Sequence, residues 1–382
     1  MHRQRPMERQ SRRHSDQQRT DQRQHNPNSD HGKSDMNSTH TTGGLGLSGG
    51  RTLSTRIARR GYSLVELMIG LTLGLFLLGG VISIFISTQQ AGRATDSLSR
   101  IQENARMAFE LMARDIREAG GNPCNQTNSV VNVLNNAAAN AWSNWVGGVT
   151  GYGTDAAFNA AFPAIGTGTA TGQRITGTDA LTVMGASGTS VTMARMPNGA
   201  SFFVNTTAHG FEDGDILMVC DFSLSSIFQV TNANSSNVTI VHNTGGSVSP
   251  GNSSVNLGPN GDQHIYGPNS QLVRFVSSTW YVGASGRNDT AGNPIRSLFR
   301  VVNNTLTTEM IEGVDNMALT YLVDGAAAYV GATAVTNWLD VTAVRIVLTL
   351  SGTETGTRTD TQNSGRTQRT ITQIVSLRNR LQ

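Results

Sequence analysis

From Leu67 to Ile86 the chain runs for twenty residues without a charged side chain. As a helix rising ~1.5 Å per residue, that run is about 30 Å long, the thickness of a bilayer's hydrocarbon core. A secretory signal would have a shorter apolar core followed by a small-residue cleavage site. Here the small residue, Gly61, precedes the apolar run. The sequence therefore predicts a membrane span, and what surrounds the span decides how the rest is read.

The residues leading into it are Arg59-Arg60-Gly61-Tyr62-Ser63-Leu64-Val65-Glu66-Leu67-Met68-Ile69-Gly70. An acidic side chain inside a span costs roughly 2.5 to 3.5 kcal/mol on insertion scales, so Glu66 calls for a partner. The pattern of basic residues, Gly, an aromatic residue, Ser-Leu-Val-Glu-Leu and a long apolar helix resembles the class III signal of type IV prepilins. That resemblance implies cleavage by a prepilin peptidase between Gly61 and Tyr62 and methylation of the new Tyr62 amine. It also implies pairing of Glu66 with that amine, or with a neighbour's, during assembly. Tyr62 stands where the family usually has Phe and keeps the ring. The alternative is an ordinary single-span anchor whose Glu66 snorkels to the interface.

The overall net charge of +3 misleads, because residues 1–60 hold 12 of the 29 basic and 5 of the 26 acidic residues. The remainder carries 17 basic against 21 acidic side chains, a net of about −4. The only lysine, Lys33, lies in the leader, so the basic balance is no argument for a nucleic-acid partner. Residues 1–50 have almost no large apolar side chain and are expected to be disordered. An internal start at Met36 would shorten the leader to a more usual length. Arg51, Arg56, Arg59 and Arg60 flank the span and place that side in the cytoplasm by the positive-inside rule. The rest then faces the periplasm, an oxidising compartment in which Cys124 and Cys220 are expected to form a disulfide, with two buried thiols as the alternative. His209, His242 and His264 lack ligand spacing to a cysteine, so no metal or cofactor is expected.

Beyond the span, Ala91, Ala94, Leu98, Ile101, Ala105, Ala108, Met112 and Ile116 recur every three or four residues, one face of a continuing helix. Arg106, Glu110, Arg114 and Glu118 alternate in sign on another, solvated face. Gly120-Gly121-Asn122-Pro123 should stop the helix, which from Ser63 to Ala119 would be about 85 Å long. Gly70 and Gly74 form a small-xxx-small pair and Gly79-Gly80 follows, readable as close helix packing or as ordinary span composition. No proline occurs between Tyr62 and Asn122, unlike many major pilins, which points towards a minor subunit.

After Pro123 the period becomes alternating. Strands are expected at 180–184, 190–193, 215–221, 227–231, 238–241, 272–276, 280–282, 298–302, 318–323, 341–350 and 371–377. Residues 125–172 give few strand signals and read as a long surface excursion in which Trp142, Trp145 and Tyr152 are local anchors. Asp115-Ile116-Arg117-Glu118-Ala119-Gly120 with Cys124, and Gly214 to Asp221 followed by Ile227-Phe228-Gln229-Val230, resemble PilW-type minor pilins. So do Ile311-Glu312-Gly313-Val314, Val341 to Leu348, and Leu377-Arg378-Asn379-Arg380.

No catalytic motif appears, so the head is not expected to be an enzyme. Gly166-x-Gly168-x-x-x-Gly172 has the wrong spacing for a dinucleotide fingerprint and reads as a loop. Glu212-Asp213-Gly214-Asp215 reads as a turn rather than a calcium loop. Arg358, Arg366, Arg369, Arg378 and Arg380 read as a local basic patch serving edge protection rather than DNA contact.

The resulting expectation is an α+β, type IV pilin-like fold. Residues 1–61 form a cleaved cytoplasmic leader, 62–86 the membrane half of a long helix, and 87–121 its amphipathic half. Residues 122–382 form a β-rich head with room for an inserted subdomain. The resemblance implies a PilW-like minor pilin in the inner membrane, head in the periplasm, that joins a pilus after processing and acts in pilus priming or at the tip. Its implied partners are the prepilin peptidase, other minor and major pilins, the inner-membrane assembly platform and lipid. The alternative is a minor pseudopilin of a type II secretion system.

Overall fold

The computed structural model describes residues 61–124, 129–245, 247–355, 357 and 365–380. Residues 1–60 of the leader and Arg358 lie outside them. Val65–Gln382 form one compact unit; of Met1–Leu64, only 61–64 are described.

A single helix, α1, runs from Leu64 to Glu118. Its later half buries Ser97, Ile101, Ala105, Ala108, Phe109, Met112, Ala113 and Ile116. The small alanines let the sheet approach the helix, and the larger side chains fill the space between them. Burying each large apolar group contributes about 1.5–3 kcal/mol. On the outer face Arg106 pairs with Glu110 at 2.9 Å and Arg114 with Glu118 at 3.9 Å, all four well exposed. Gly120 adopts the left-handed conformation at φ 72° that ends the helix. Its N–H donates to the Met184 carbonyl, and Asn379 Nδ2 donates to the Ala119 carbonyl, so the helix end is tied to both a strand and the C-terminal segment.

The head consists of β1 (Ser129–Asn132), β2 (Val149–Tyr152), a short helix α2 (Asp155–Ala161), β3 (Ala180–Asn198), β4 (Ser201–Val204), β5 (Ile216–Cys220) and β6 (Leu224–Gln229). It continues with β7 (Asn232–Ala233), β8 (Thr239–Val241), β9 (Gln271–Asn288), β10 (Pro294–Val302), β11 (Leu306–Glu312), β12 (Val314–Val323), β13 (Val341–Ser351) and β14 (Gln368–Ser376). The first eleven strands form one sheet and β12-β13-β14 a second. All pairings are antiparallel except that of β1 with β6.

Period-two alternation distributes β3 and β9 among separate cores. Leu181 and Val183 of β3, with Trp280 and Val282 of β9, join the helix face and Val314, Met317, Leu319, Val344, Ile346 and Leu348 of the second sheet. Ala180, Met184, Phe275 and Tyr281 point the other way into a different cluster. Every residue of β5 is buried, Leu217 and Val219 in a third cluster and Ile216 and Met218 with Tyr281.

The long surface excursion expected at 125–172 is corrected by the described residues of that stretch. β1 and β2 extend the large sheet, and Trp142, Tyr152, Phe158 and Phe162 are buried with Met184, Tyr281 and Phe299. Tyr152 meets Phe162 edge-on with centroids 5.6 Å apart, and Phe158 lies 5.7 Å from Tyr281. The aromatic residues are anchors, as expected, but anchors of a core. Four-residue strands and aromatics scattered among Asn, Ala and Gly carry no period to detect. Strands β4, β7 and β11 were likewise without a strong signal.

Gly148 is where the loop before β2 touches the helix end. It sits at φ 80°, and a Cβ there would lie 2.3 Å from Gly120 N and 2.9 Å from the Met184 carbonyl, both backbone atoms that cannot swing aside. Gly148→Ala should destabilise the head by more than about 3 kcal/mol, read as a lowered denaturation midpoint.

Candidate functional site

The site residues expected from the sequence lie at the N-terminal end of α1. Ser63 precedes it, Leu64 begins it, and Glu66 is the acidic residue of its first turn, where a carboxylate is favoured by the exposed N–H groups and dipole of the helix start. Tyr62 is 84% exposed, and the apolar side chains from Leu64 to Ile86 all face outward, Phe76 at 85% and Ile86 at 48%. No residue in the most apolar stretch of this helix is buried, and the helix is long and apolar enough to cross a membrane. Thr72 and Thr88 return their hydroxyls to the carbonyls of Ile69 and Ile84, so neither leaves an unpaired donor in an apolar surrounding. Nothing lies within 4 Å of a Cβ built on Gly70, Gly74, Gly79 or Gly80. Their close-packing surface is unused by the chain's own described residues.

The head is locked to this helix by contacts that sequence reading missed. Asp115 accepts from Trp280 Nε1 at 3.0 Å and pairs with Arg300 Nη2 at 3.1 Å, and the Arg300 guanidinium also donates to Ser278. A second missed pair is Arg174 with Asp155 at 2.9 Å, the guanidinium wholly buried and 4.8 Å over the Phe158 ring. Nothing near Arg174 in the sequence marks it as buried; its partners are brought by α2 and by the loop before β3.

Cys124 and Cys220 form a disulfide, Cα atoms 5.9 Å apart and 96 residues apart in sequence. Chain-entropy reasoning gives about 4.7 kcal/mol for such a loop before any native strain is subtracted. The bond ties the segment after the helix to β5. In the Glu212–Asp215 turn, Asp215 accepts from Glu212 N and from Arg274, and Asp213 accepts from Ala233 N, so these carboxylates are turn and cross-link acceptors. Among the described residues no group of three or more His, Cys, Asp or Glu side chains could hold a metal ion. Gly166 to Gly172 is a loop, held by hydrogen bonds of Gly168 and Gly172 to the Arg174 and Ala284 carbonyls.

The expected C-terminal basic patch is not assembled. Arg366 is buried beside Asp289, and Arg380 turns inward to the carbonyls of Gly147 and Trp338. Arg369 remains exposed on β14, the edge strand of the second sheet, and Arg378 is exposed beyond it. The alternating strand and the terminal turn aim these side chains in different directions, which linear spacing cannot reveal.

A long N-terminal helix, apolar and then amphipathic, carrying an antiparallel-rich β head is a pilin-like α+β fold. Residues 56–82 match the prokaryotic N-terminal methylation motif, which spans the Gly61–Tyr62 junction and Glu66. Residues 279–379 match the family described as Type IV Pilus-assembly protein W, a segment from within β9 to beyond β14 that includes Trp280 and Arg300. Together these matches support a PilW-type minor pilin. The comparison with curated proteins finds no match.

The remaining histidine of interest is structural. His242 is fully buried between the rings of Phe202 and Phe228, at 4.8 and 4.9 Å, and burial pushes its pKa down to about 4. The fold thus holds it neutral, and the unfolded chain takes up a proton first as the pH falls below ~6.5. Its contribution is complete above that pH and is lost on descent towards about 4, by at most ~3 kcal/mol. Urea unfolding at pH 7 and pH 4.5 should show a smaller loss for His242→Phe than for the wild type; equal losses would remove His242 from the pH response.

Proposed function

We propose that the chain is a minor type IV pilin that works by assembly, not turnover. Residues 1–61 act as a cleaved leader, 62–86 as the membrane anchor, 87–121 as the stalk of the helix, and 122–382 as the head. The prepilin peptidase cuts between Gly61 and Tyr62, and the freed Tyr62 amine is methylated. Glu66 then pairs with an N-terminal amine, its own or a neighbour's, when spans leave lipid and pack together. The head faces the periplasm until the subunit, guided by the inner-membrane assembly platform, joins other minor and major pilins in the fibre.

The observation that carries this reading is the bare apolar half of α1 next to a first-turn carboxylate, in the segment that matches the methylation motif. A surface exposed on all sides has no partner among the described residues and is suited to lipid first and to other helices later. The match to a pilus-assembly family favours the pilus over a type II secretion pseudopilin. No catalytic step is invoked.

Protein purified from its native host should begin with methylated Tyr62, which N-terminal peptide spectra would read directly. An unprocessed chain, or one starting elsewhere, would remove the processing assignment.

Glu66→Ala should leave insertion and cleavage nearly intact and deplete the subunit from sheared pili. Removing the carboxylate makes the span more apolar, yet leaves a cationic terminus unpaired in the fibre, where breaking a buried pair costs about 3–5 kcal/mol. Wild-type levels of the mutant in pili would show Glu66 to be a tolerated interfacial charge.

A further inference from the structure

Two stretches of the chain read Pro-Asn-Gly, at residues 197–199 and 259–261, and they hold the only two Asn-Gly pairs in the sequence. An asparagine followed by glycine is a reactive amide context, because a residue without Cβ lets its own backbone nitrogen swing onto the asparagine side chain. The two tripeptides are identical, so a difference in their reactivity has to come from the fold.

The fold holds them differently. Asn198 ends β3, where it pairs with Ser201 across a tight turn, and its Oδ1 accepts from Ala200 N at 3.0 Å and from Ser201 Oγ at 3.1 Å. A Cβ built on Gly199 would lie 2.3 Å from Gln263 Oε1, so a neighbouring side chain crowds that turn. Asn260 lies in the turn between Leu257 and Tyr266, with φ 57° and ψ 18°. Asn260 and Gly261 are both exposed, and among the described residues no hydrogen bond engages the Asn260 side chain or Gly261 N. Nothing lies within 4 Å of a Cβ built on Gly261. The turn closes around the pair, through Gly258 N to the Asp262 carbonyl at 2.8 Å, Asp262 N to the Pro259 carbonyl at 3.0 Å and Asn256 Nδ2 to the Gly261 carbonyl at 2.8 Å. Rotation of the 260–261 peptide, which brings Gly261 N to Asn260 Cγ, therefore meets no packed neighbour and strains only the bonds of the turn itself.

We propose that Asn260 is a site of spontaneous deamidation. Gly261 N attacks Asn260 Cγ, the new C–N bond closes a cyclic succinimide, the Cγ–Nδ2 bond breaks, and the side-chain nitrogen leaves as ammonia with the proton given up by Gly261 N. Water, the only co-reactant, then opens the ring at either carbonyl to give isoaspartate or aspartate. Either product adds a carboxylate close to the exposed Asp262, and isoaspartate also adds a methylene to the main chain inside the Gly258–Asp262 closure. The turn is flanked by Leu257 and Tyr266, whose carbonyl and hydroxyl lie 2.6 and 2.7 Å from Ser226 Oγ, so the change falls at the edge of the third cluster. The inference rests on the turn's own chemistry and stands apart from the pilus reading.

The test ages the full chain in detergent micelles, in mildly alkaline and in mildly acidic buffer. Fragment-ion spectra of its digest assign the amide-to-acid mass gain to Asn198 or Asn260, and electron-transfer fragmentation tells isoaspartate from aspartate. The gain should build up at Asn260 about tenfold faster than at Asn198, which must first give up two hydrogen bonds. It should be faster in the alkaline buffer, where more of the attacking nitrogen is deprotonated, and isoaspartate should be among the products. In urea the two identical tripeptides should react at the same rate. Asn260→Gln, at an exposed position, should remove the modification there, since the longer side chain closes its ring far more slowly. The proposal is overturned by an Asn260 that stays unmodified, by a rate at Asn198 equal to or above that at Asn260 in the folded chain, by a difference that persists unchanged in urea, or by aspartate as the sole product, which would bypass the ring.

Discussion

One helix in this protein has to satisfy two surroundings, and the head depends on how it does so. Between Ile101 and Ile116 the helix presents a strip of alanines broken by Phe109 and Met112, and the strip is buried against the second sheet, the start of β3 and the middle of β9. Earlier than Ser97 the same helix has no protein partner among the described residues, and its side chains stand in the open. The packed half must therefore fix the orientation of the bare half. Apolar burial supplies the adhesion, which is non-directional. Direction comes from polar contacts: Asp115 with Trp280 and Arg300, and the helix end with Met184 and Asn379.

Those polar contacts are concentrated where the chain doubles back. The helix end, the loop at Gly147–Gly148, β3 and the C-terminal turn meet at one place, and their backbones approach too closely for side chains larger than hydrogen at Gly148. The disulfide adds a covalent tie from the segment just beyond the helix to the fully buried β5. A load on the helix would thus reach the central sheet through hydrogen bonds, an ion pair and a covalent bond, while apolar surfaces keep water from competing for them.

The segment matching the pilus-assembly family begins at residue 279 and includes β10 to β14 and the Trp280 and Arg300 contacts to the helix, whereas the third hydrophobic cluster, around Phe202, Phe228 and His242, is built largely from earlier residues. Function in such a head resides in sites carried by the fold rather than in the fold itself.

The sequence by itself determined the features that depend on local pattern. These are the uncharged run from Leu67 to Ile86, the Gly61-Tyr62-x-x-x-Glu66 signal, the helical face through Ile101, Met112 and Ile116, the glycine stop, and the long alternating strands such as Val341–Ser351. Each is legible because a solvent boundary or a backbone period acts on neighbouring residues. The pairing of two cysteines followed from the compartment implied by that span. Only the tertiary structure decided that Trp142, Tyr152 and Phe162 build a core, that Arg174 is buried on Asp155, that Arg366 and Arg380 turn inward, and that Asp115 holds Trp280 and Arg300. These contacts join residues from 19 to 233 positions apart where hydrogen bonds are concerned. Their energy comes from excluding water around a particular pair, and no periodicity in the chain records which pair will meet.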